Sequence, residues 1–197
     1  MSELFSIQLQ NRQQQGRDGV WLDLPTTTEQ VQAALRQIGI SSDNPQGLFI
    51  SGYFAEEEKR FAIPYNMVLA SNVDELNFLA SRLETLSTGE RAELNAALQA
   101  PQSELFSIGR ITDFPENVDY YVHLPDVHGP AQLGDYYLNR SGMVDMPEEW
   151  KGGIDTAQFG RYVAQQEQGV FTEYGYLVKS GDVWQKVHEG QPVPEEY

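Results

Sequence analysis

Residues 71–98, SNVDELNFLASRLETLSTGERAELNAAL, carry two successive helix signals and decide how the centre of the chain folds. Apolar side chains recur at three- and four-residue spacing through the first half, at Val73, Leu76, Leu79, Ala80, Leu83 and Leu86. This spacing places them on one face of a helix, which is the face expected to be buried. Ser87 and Glu90 then form a capping box that starts a second helix, and Pro101 ends it. We therefore predict two antiparallel helices with a short connection as the core of a small helical module.

The N-terminal stretch predicts strands around one helix. The segments LFSIQLQ (4–10) and VWLDL (20–24) are short apolar runs typical of strands, joined by a polar, glycine-bearing loop. A helix follows, with Thr26 as its N-cap, Glu29 as the capping-box partner and Gly39 at its C-terminus. A third strand is expected in the segment GLFISGYF, which follows that helix.

The last stretch returns to a mixture of strands and helices. The segments DYYVHL (119–124) and GVFTEYGYLVKS (169–180) predict strands, and the helices between them are expected to end at Gly142 and Gly169. The tail from Glu189 onward is expected to be loose. The tyrosine pairs in this stretch lie far from any cluster of basic residues, so we interpret them as core packing rather than as a platform for stacked bases.

The hexapeptide SELFSI occurs twice, at residues 2–7 and 103–108. The residues that follow the two copies do not match, so we do not interpret it as a duplicated module. We expect a strand from the first copy and a helix with Ser103 as N-cap from the second, because tertiary context overrides local propensity.

These patterns together predict the α+β class, with three small domains in series. An α/β domain is expected over residues 1–62, a helical domain over 63–110 and a second α/β domain over 111–197.

Charge is the most unusual property of the chain. The 29 acidic residues outnumber the 13 basic ones, for a net charge of −16 and a pI near 4.4, and the excess is largest after residue 110. Such a field repels phosphate backbones, so we expect no direct nucleic-acid binding and favour either a basic partner or a role in solubility alone. The chain has no cysteine, which excludes disulfides and thiolate metal sites. With no leader and no membrane-length apolar run, a cytoplasmic protein without membrane contact is expected.

The segment DFPENVDYYVHLPD, residues 113–126, poses the question of function most sharply. As a metal site it would use His123, Asp126 and His128, but their spacing matches no standard ligand set. As paired catalytic carboxylates it would need one buried acid with a raised pKa, whereas its proline and asparagine favour an exposed turn. No nucleotide-binding, nucleophile-elbow or zinc-protease motif occurs in the chain. A carboxylate surface seen by a partner is the third interpretation.

A resemblance to a known family bears on this choice. Residues 125–178, PDVHGPAQLGDYYLNRSGMVDMPEEWKGGIDTAQFGRYVAQQEQGVFTEYGYLV, resemble the third domain of the ArdA antirestriction family, in which a PxV turn, an LGxYY helix, an IDxxxxGR helix and a closing YGY strand follow in this order. The segment 71–98 is similar to that family's small helical domain. The match in the first section is looser and rests on VWLDLP and ISGYF.

The resemblance implies an elongated, three-domain homodimer that mimics bent B-form DNA and occupies the DNA groove of type I restriction-modification enzymes. Such proteins are carried on mobile elements and have no catalytic residues, metal or cofactor to transfer. The resemblance implies dimerisation through the third domain, here residues 143–159. It assigns partner binding to acidic residues, mapped here to Asp113, Glu116, Asp119, Asp126, Asp135, Asp145, Glu148, Glu149, Asp155, Glu167 and Glu173.

Two other hypotheses remain beside this one. The first is an acidic adaptor or inhibitor of another DNA-binding defence protein, such as a CRISPR effector, favoured by the charge alone. The second is a hydrolase built on Asp126 and the two histidines near it in the sequence. A DNA mimic should compete with DNA, whereas an adaptor need not, and a hydrolase of this kind would bind metal.

Overall fold

The computed structural model describes residues 3–14, 18–41, 45–57 and 60–194, and the fold is mixed α+β. In chain order the elements are β1 (Phe5–Asn11), β2 (Val20–Leu24), α1 (Thr28–Gln37), β3 (Leu48–Phe54), α2 (Tyr65–Leu69), α3 (Val73–Glu84), α4 (Thr88–Gln99), α5 (Ile108–Thr112), β4 (Tyr121–Leu124), α6 (Pro130–Asp135), α7 (Glu148–Lys151), α8 (Thr156–Glu167), β5 (Val170–Thr172) and β6 (Gly175–Lys179). Two short 3₁₀ turns, Phe114–Glu116 and Val118–Tyr120, precede β4, and a π-helical turn, Tyr136–Arg140, continues α6. No helix in these described ranges is both long and apolar enough to cross a bilayer.

Contacts divide the chain into two compact units, each made of discontinuous stretches. The first unit comprises residues 1–87, 104–116 and 185–197, and the second comprises 88–103 and 117–184. Helix α3 packs against α5 in the first unit, whereas α4 packs against β4 and β6 in the second. The two helices predicted as one core thus contribute to different units. The domain boundaries at residues 62 and 110 remain a prediction.

The first unit is built on an antiparallel sheet in the order β2-β1-β3. Side chains alternate along β1, so that Phe5, Ile7 and Leu9 are buried while Gln8 and Gln10 face outward. Helices α1 and α3 contact β2, and α2 contacts β3. All three predicted strands of this stretch are therefore confirmed, and their alternation gives the sheet one apolar and one open face.

Helix α1 begins one residue later than predicted. Its N-cap is Thr27, whose hydroxyl accepts from the Gln30 backbone N–H in a capping box with Gln30 rather than Glu29. Thr26 is held elsewhere, because its N–H donates to the Asn77 side chain at 2.7 Å and its carbonyl accepts from the same amide at 2.9 Å. The prediction that Gly39 closes this helix is confirmed by its φ of +70°.

The second unit contains an antiparallel sheet in the order β4-β6-β5 and the crossing helices α6 and α8. The backbones meet at Gly134 and Gly160, where an added Cβ on Gly160 would lie 1.8 Å from the Pro130 carbonyl oxygen. A Cβ on Gly134 would lie 1.9 Å from the carbonyl oxygen of Thr156. Only glycine at both positions permits this approach, which explains the glycines of the LGxYY and IDxxxxGR motifs.

Two predicted helix ends in this part of the chain differ from the structure. Helix α8 ends in a left-handed residue at Gln168, with φ 57°, instead of at Gly169. Gly169 serves a different purpose, because a Cβ there would lie 1.9 Å from the Tyr176 hydroxyl. The predicted N-cap Ser103 is also wrong, since the helix over the second SELFSI copy starts at Ile108 and is capped by the Ser107 hydroxyl. Gly142, at φ +69°, does follow the π-helical turn as predicted.

The tyrosine pairs pack as expected. Tyr120 and Tyr121 are 9% and 6% exposed and meet edge to face with ring centroids 4.9 Å apart. Tyr136 and Tyr137 make a similar contact at 5.5 Å and lie against the core formed by Val127, Leu133 and Tyr176. Aromatic burial therefore anchors the second unit around its sheet.

Candidate partner-binding surface

The predicted acidic residues lie mainly at the ends of elements in the second unit. Their positions are Asp119 in the second 3₁₀ turn, Asp126 in the turn after β4, Asp135 at the end of α6, Asp145 in the irregular segment before α7, Glu148 and Glu149 in the first turn of α7, Asp155 at the N-cap of α8, Glu167 in the last turn of α8, and Glu173 between β5 and β6. Element ends project their side chains into solvent, so most of these carboxylates are exposed.

Asp126, Asp145 and Glu149 are the members of this set that are most available to a partner. All three are exposed, and none of the three forms an ion pair or a side-chain hydrogen bond with a described residue. A carboxylate with no cation beside it keeps its full negative field. These positions are therefore the best candidates for contact with a basic surface.

Three other predicted acids are ion-paired within the chain. Asp135 binds Arg140 at 2.7 Å, and this hydrogen-bonded guanidinium, with the Asn139 amide, lowers the pKa of the Asp135 carboxyl. Glu148 binds Lys151 at 2.6 Å, and Glu116 in the first unit binds Arg82. Each pair cancels much of the local charge, so these acids present a weaker field than the sequence suggests.

Asp155 and Glu173 are exposed but also have local structural tasks. The Asp155 carboxylate accepts the Gln158 backbone N–H at 2.9 Å and so caps α8. The Glu173 carboxylate accepts a hydrogen bond from the Gln99 side-chain NH₂ group, and the Glu173 backbone N–H donates to the side-chain Oε1 of Gln99 at 3.3 Å. Neither contact pairs the carboxylate with a cation, so both residues can still contribute to the surface.

Glu167 is directed inward instead. Its carboxylate accepts hydrogen bonds from the Tyr137 hydroxyl and, at 3.0 Å, from the Tyr176 hydroxyl. Burial, together with the neighbouring carboxylate, raises the pKa of both tyrosine hydroxyls, so they remain donors. This cluster joins α8 to the π-helical turn and to β6, which makes Glu167 mainly a structural residue.

Asp113 does not belong to the surface, and its assignment there is wrong. It is 0% exposed. Its carboxylate accepts the backbone N–H groups of His188 and Glu189 at 2.6 Å and 3.3 Å. The buried Arg110 binds the Glu189 carboxylate at 2.9 Å. These contacts fix residues 188–189 against the first unit, so the tail is not loose where it is described.

The prediction overlooked two acids on α4 that bear on the charge of the second unit. Glu93 is half-buried and has a carboxylate oxygen with no hydrogen-bond partner among the described residues. Burial, with the nearby charges of Glu90 and Asp119, raises the pKa of Glu93 to about 8. Glu93 therefore carries a proton at neutral pH. The i, i+3 spacing of Glu90 and Glu93 was visible in the sequence, but the burial was not.

The residues considered as an alternative metal site lie in different environments. His123 donates from Nε2 to the Tyr174 carbonyl oxygen at 2.7 Å, whereas His128 is exposed and its backbone N–H bonds to Gln132. Within the described ranges, no group of three or more acidic or histidine side chains has an arrangement suited to a metal ion. The structure thus does not bring the predicted trio together as ligands.

Large apolar side chains are exposed beside the acids of α7. Met143, Trp150 and Tyr162 are 74%, 66% and 60% exposed. Met143 precedes α7, Trp150 lies in it and Tyr162 lies in α8, and Met and aromatic side chains are enriched at protein interfaces. The segment therefore combines negative charge with apolar contact area.

Grouping by compact unit changes the distribution of charge. The described residues of the first unit include 13 acidic and 6 basic side chains, and those of the second include 12 and 5, a net of −7 in each. The sequence had suggested that the last section dominates. Over the full sequence the first unit has 17 acidic and 8 basic residues, a net of −9, against −7 for the second, because Glu104, Asp113, Glu116 and the C-terminal acids belong to the first.

Comparison with known proteins supports the resemblance drawn from the motifs. A sequence model of the family described as "Antirestriction protein (ArdA)" matches residues 15–178, most of the 197-residue chain. Among the curated proteins no match was found.

Proposed function

The chain belongs to the ArdA antirestriction family, and on that premise we propose that it inhibits type I restriction-modification enzymes by occupying their DNA groove as a DNA mimic. It acts by stoichiometric competition in the cytoplasm and not by catalysis. The observation that carries this proposal is the set of exposed carboxylates without a described cation, at Asp126, Asp145 and Glu149.

The charge density of such a mimic is lower than that of the DNA it imitates. B-form DNA has about one charge per 1.7 Å of axis. A helix that shows one carboxylate per turn has about one charge per 5.4 Å. Competition remains possible because the fold holds the carboxylates in fixed positions, where they attract the same lysines and arginines that bind phosphates. Binding should therefore weaken as salt rises.

Dimerisation belongs to the same proposal. The segment 143–159, with Met143 and Trp150 exposed, is the proposed contact between two copies. Burying these side chains would extend the acidic surface over two chains and lengthen the mimic. Light scattering tests this point: Trp150→Ala should shift the protein towards the monomer, and an unchanged mass would place the contact elsewhere.

The central test is displacement of DNA from a type I methyltransferase. Fluorescently labelled DNA bound to the enzyme is titrated with the protein at low salt, and we expect release at about one inhibitor dimer per DNA site. Failure to displace DNA at any inhibitor concentration would refute the mimic. Binding to other DNA-binding defence proteins, with no effect on this enzyme, would favour the adaptor hypothesis.

A pair of matched variants locates the contact. Asp145→Asn with Glu149→Gln removes two carboxylates that have no described partner, whereas Asp135→Asn with Glu148→Gln removes two that are ion-paired. Net charge changes equally in both, and light scattering must give the same dimer mass for both, because Asp145, Glu148 and Glu149 lie in the proposed dimer contact. We expect the first variant to lose about tenfold in inhibition and the second much less, because each lost charge contact costs about 0.5–1 kcal/mol. Equal losses would mean that net charge alone determines binding.

A further inference from the structure

The outward face of the β2-β1-β3 sheet combines aromatic and acidic side chains. The strand register aligns Asp23, Ser6 and Phe54 in one row across the sheet. The next row consists of Trp21, Gln8 and Gly52. Trp21 and Phe54 are 49% and 58% exposed, whereas Ile7 and Leu9 on the opposite face of the sheet are buried.

The Trp21 indole extends across Gln8 on the central strand towards Gly52 on the far strand. A Cβ added to Gly52 would lie 3.0 Å from Trp21 Cη2 and 3.1 Å from Gln8 Cβ. Glycine at position 52 therefore lets the indole lie across the sheet, with one ring face on the strands and the other towards solvent. A flat, half-exposed indole is the side chain best suited to attract a cation.

Two carboxylates stand beside this ring. The Ser6 hydroxyl donates to Asp23 Oδ1 at 2.7 Å and lies 3.5 Å from Glu3 Oε1. One hydroxyl proton serves two acids, and no described lysine or arginine pairs with either of them. These two carboxylates repel each other, and a cation that binds both of them relieves the repulsion.

The other end of the same face provides an internal comparison. There Phe49, paired with Gln10, has the Arg12 guanidinium 5.3 Å from its ring centroid. The chain thus covers one outward aromatic ring with its own arginine. The ring of Trp21, which has more negative charge beside it, has no such cover among the described residues.

We propose that this site binds an arginine side chain of a protein partner. The cavity has a volume of about 360 Å³ and is lined by Glu3, Trp21, Asp23, Pro25, Thr26 and Gln30. The guanidinium stacks on the free indole face while its N–H groups bond to the carboxylates of Asp23 and Glu3. The aliphatic part of the arginine side chain lies along Pro25.

Arginine fits this site better than lysine. Its planar guanidinium has donors in a fixed fork that can reach two carboxylates while the plane stacks on an indole. A lysine ammonium is a more strongly hydrated point charge and cannot stack in this way. The site should therefore discriminate between two side chains of equal charge.

The inference deepens the proposed function and rests on it only for the identity of the partner, since proteins that bind DNA neutralise its phosphates with lysine and arginine side chains. Recognition of the guanidinium itself is tested separately with small probes. Absence of guanidinium binding would therefore not contradict the proposed inhibition, and absence of inhibition would not contradict guanidinium binding.

The experiment is an NMR titration of the full-length protein with N-acetyl-argininamide, followed at the Trp21 indole N–H. Residues 150 and 184 supply the other tryptophan signals as internal references. We expect a saturable shift confined to Trp21, at about millimolar affinity, and several-fold weaker binding of N-acetyl-lysinamide. Asp23→Asn should lower the argininamide affinity about tenfold, whereas Asp182→Asn, an exposed position with the same change in net charge, should leave it unchanged.

Three results would overturn the proposal. The first is a Trp21 signal that does not move with argininamide, and the second is equal affinity in the wild-type and Asp23→Asn proteins. The third is a smaller light-scattering mass for the Trp21→Ala protein than for the wild type. In that case a second copy of the chain, and not a partner's arginine, would occupy the face. Circular dichroism shows whether each variant is folded. If Trp21→Ala does not fold, Asp23→Asn still tests the proposal.

Discussion

Asp113 provides the sharpest test of how the first unit is held together. Replacing it with alanine removes both acceptors for the His188 and Glu189 N–H groups, at 2.6 Å and 3.3 Å from a carboxylate that is 0% exposed. A hydrogen bond to a charged group contributes about 1.5–3 kcal/mol, and the longer of the two is the weaker. Since the freed N–H groups can reach water if the tail detaches, we expect a loss of about 3 kcal/mol for Asp113→Ala. Asp113→Asn keeps one acceptor and should lose about half as much.

Two measurements separate loss of the tail from general unfolding. Urea denaturation gives the change in unfolding free energy, and amide hydrogen exchange reports the tail directly. Exchange at residues 188 and 189 should accelerate by about two orders of magnitude in Asp113→Ala, as the expected loss implies. Asp119→Asn is the matched control, because this exposed carboxylate should change stability by less than about 0.5 kcal/mol. Unchanged exchange at both amides in Asp113→Ala would refute the role assigned to Asp113.

Two further predictions concern the second unit. The pKa of Glu93 is raised to about 8 in the folded state from 4.5, so the unfolded chain loses this proton first and stability should fall as the pH rises between those values. Glu93→Gln should remove about 2 kcal/mol of this fall, a figure reduced for solvent screening, and Asp126→Asn, at an exposed position, serves as control. An equal pH dependence of denaturation in the wild type and Glu93→Gln would contradict it. Gly160→Ala places a Cβ 1.8 Å from the Pro130 carbonyl oxygen and should cost about 3 kcal/mol or more in thermal unfolding, whereas Gly89→Ala in α4, where nothing lies within 4 Å, should be neutral or stabilising. Similar melting temperatures for the two alanine variants would show that α6 and α8 can separate without cost.

Periodicity predicted most elements but not the contacts that shift their ends. The strands of the first unit and helices α1, α3 and α4 follow from local patterns, because alternation and helical spacing are properties of neighbouring residues. The N-cap moved to Thr27 because Asn77, 51 residues away, binds Thr26. The end of α8 moved because Gly169 is needed for the approach of Tyr176. Such distant partners leave no local signal.

Among the acidic residues, too, the sequence predicted some environments and missed others. Sequence identified the acids and their excess over bases, and it placed Asp145 and Glu149 at exposed positions. It could not show that Asp113 is buried or that Glu167 is held by Tyr137 and Tyr176, because burial of a charge depends on side chains brought together by folding. Glu93, which is neutral at physiological pH, was missed for the same reason. The number of acids therefore overstates the negative charge that a partner meets.

The division of the chain into discontinuous stretches has a consequence for synthesis. The first unit combines residues that precede the second unit in the chain with residues that follow it, since Asp113 and Arg110 bind residues 188–189. Domains ordinarily fold in the order in which they are translated. Here every residue of the second unit is translated before residues 188–189 of the first. We therefore expect a chain truncated after residue 184 to keep the contacts of the second unit and to lose those that fasten residues 188–189 to the first.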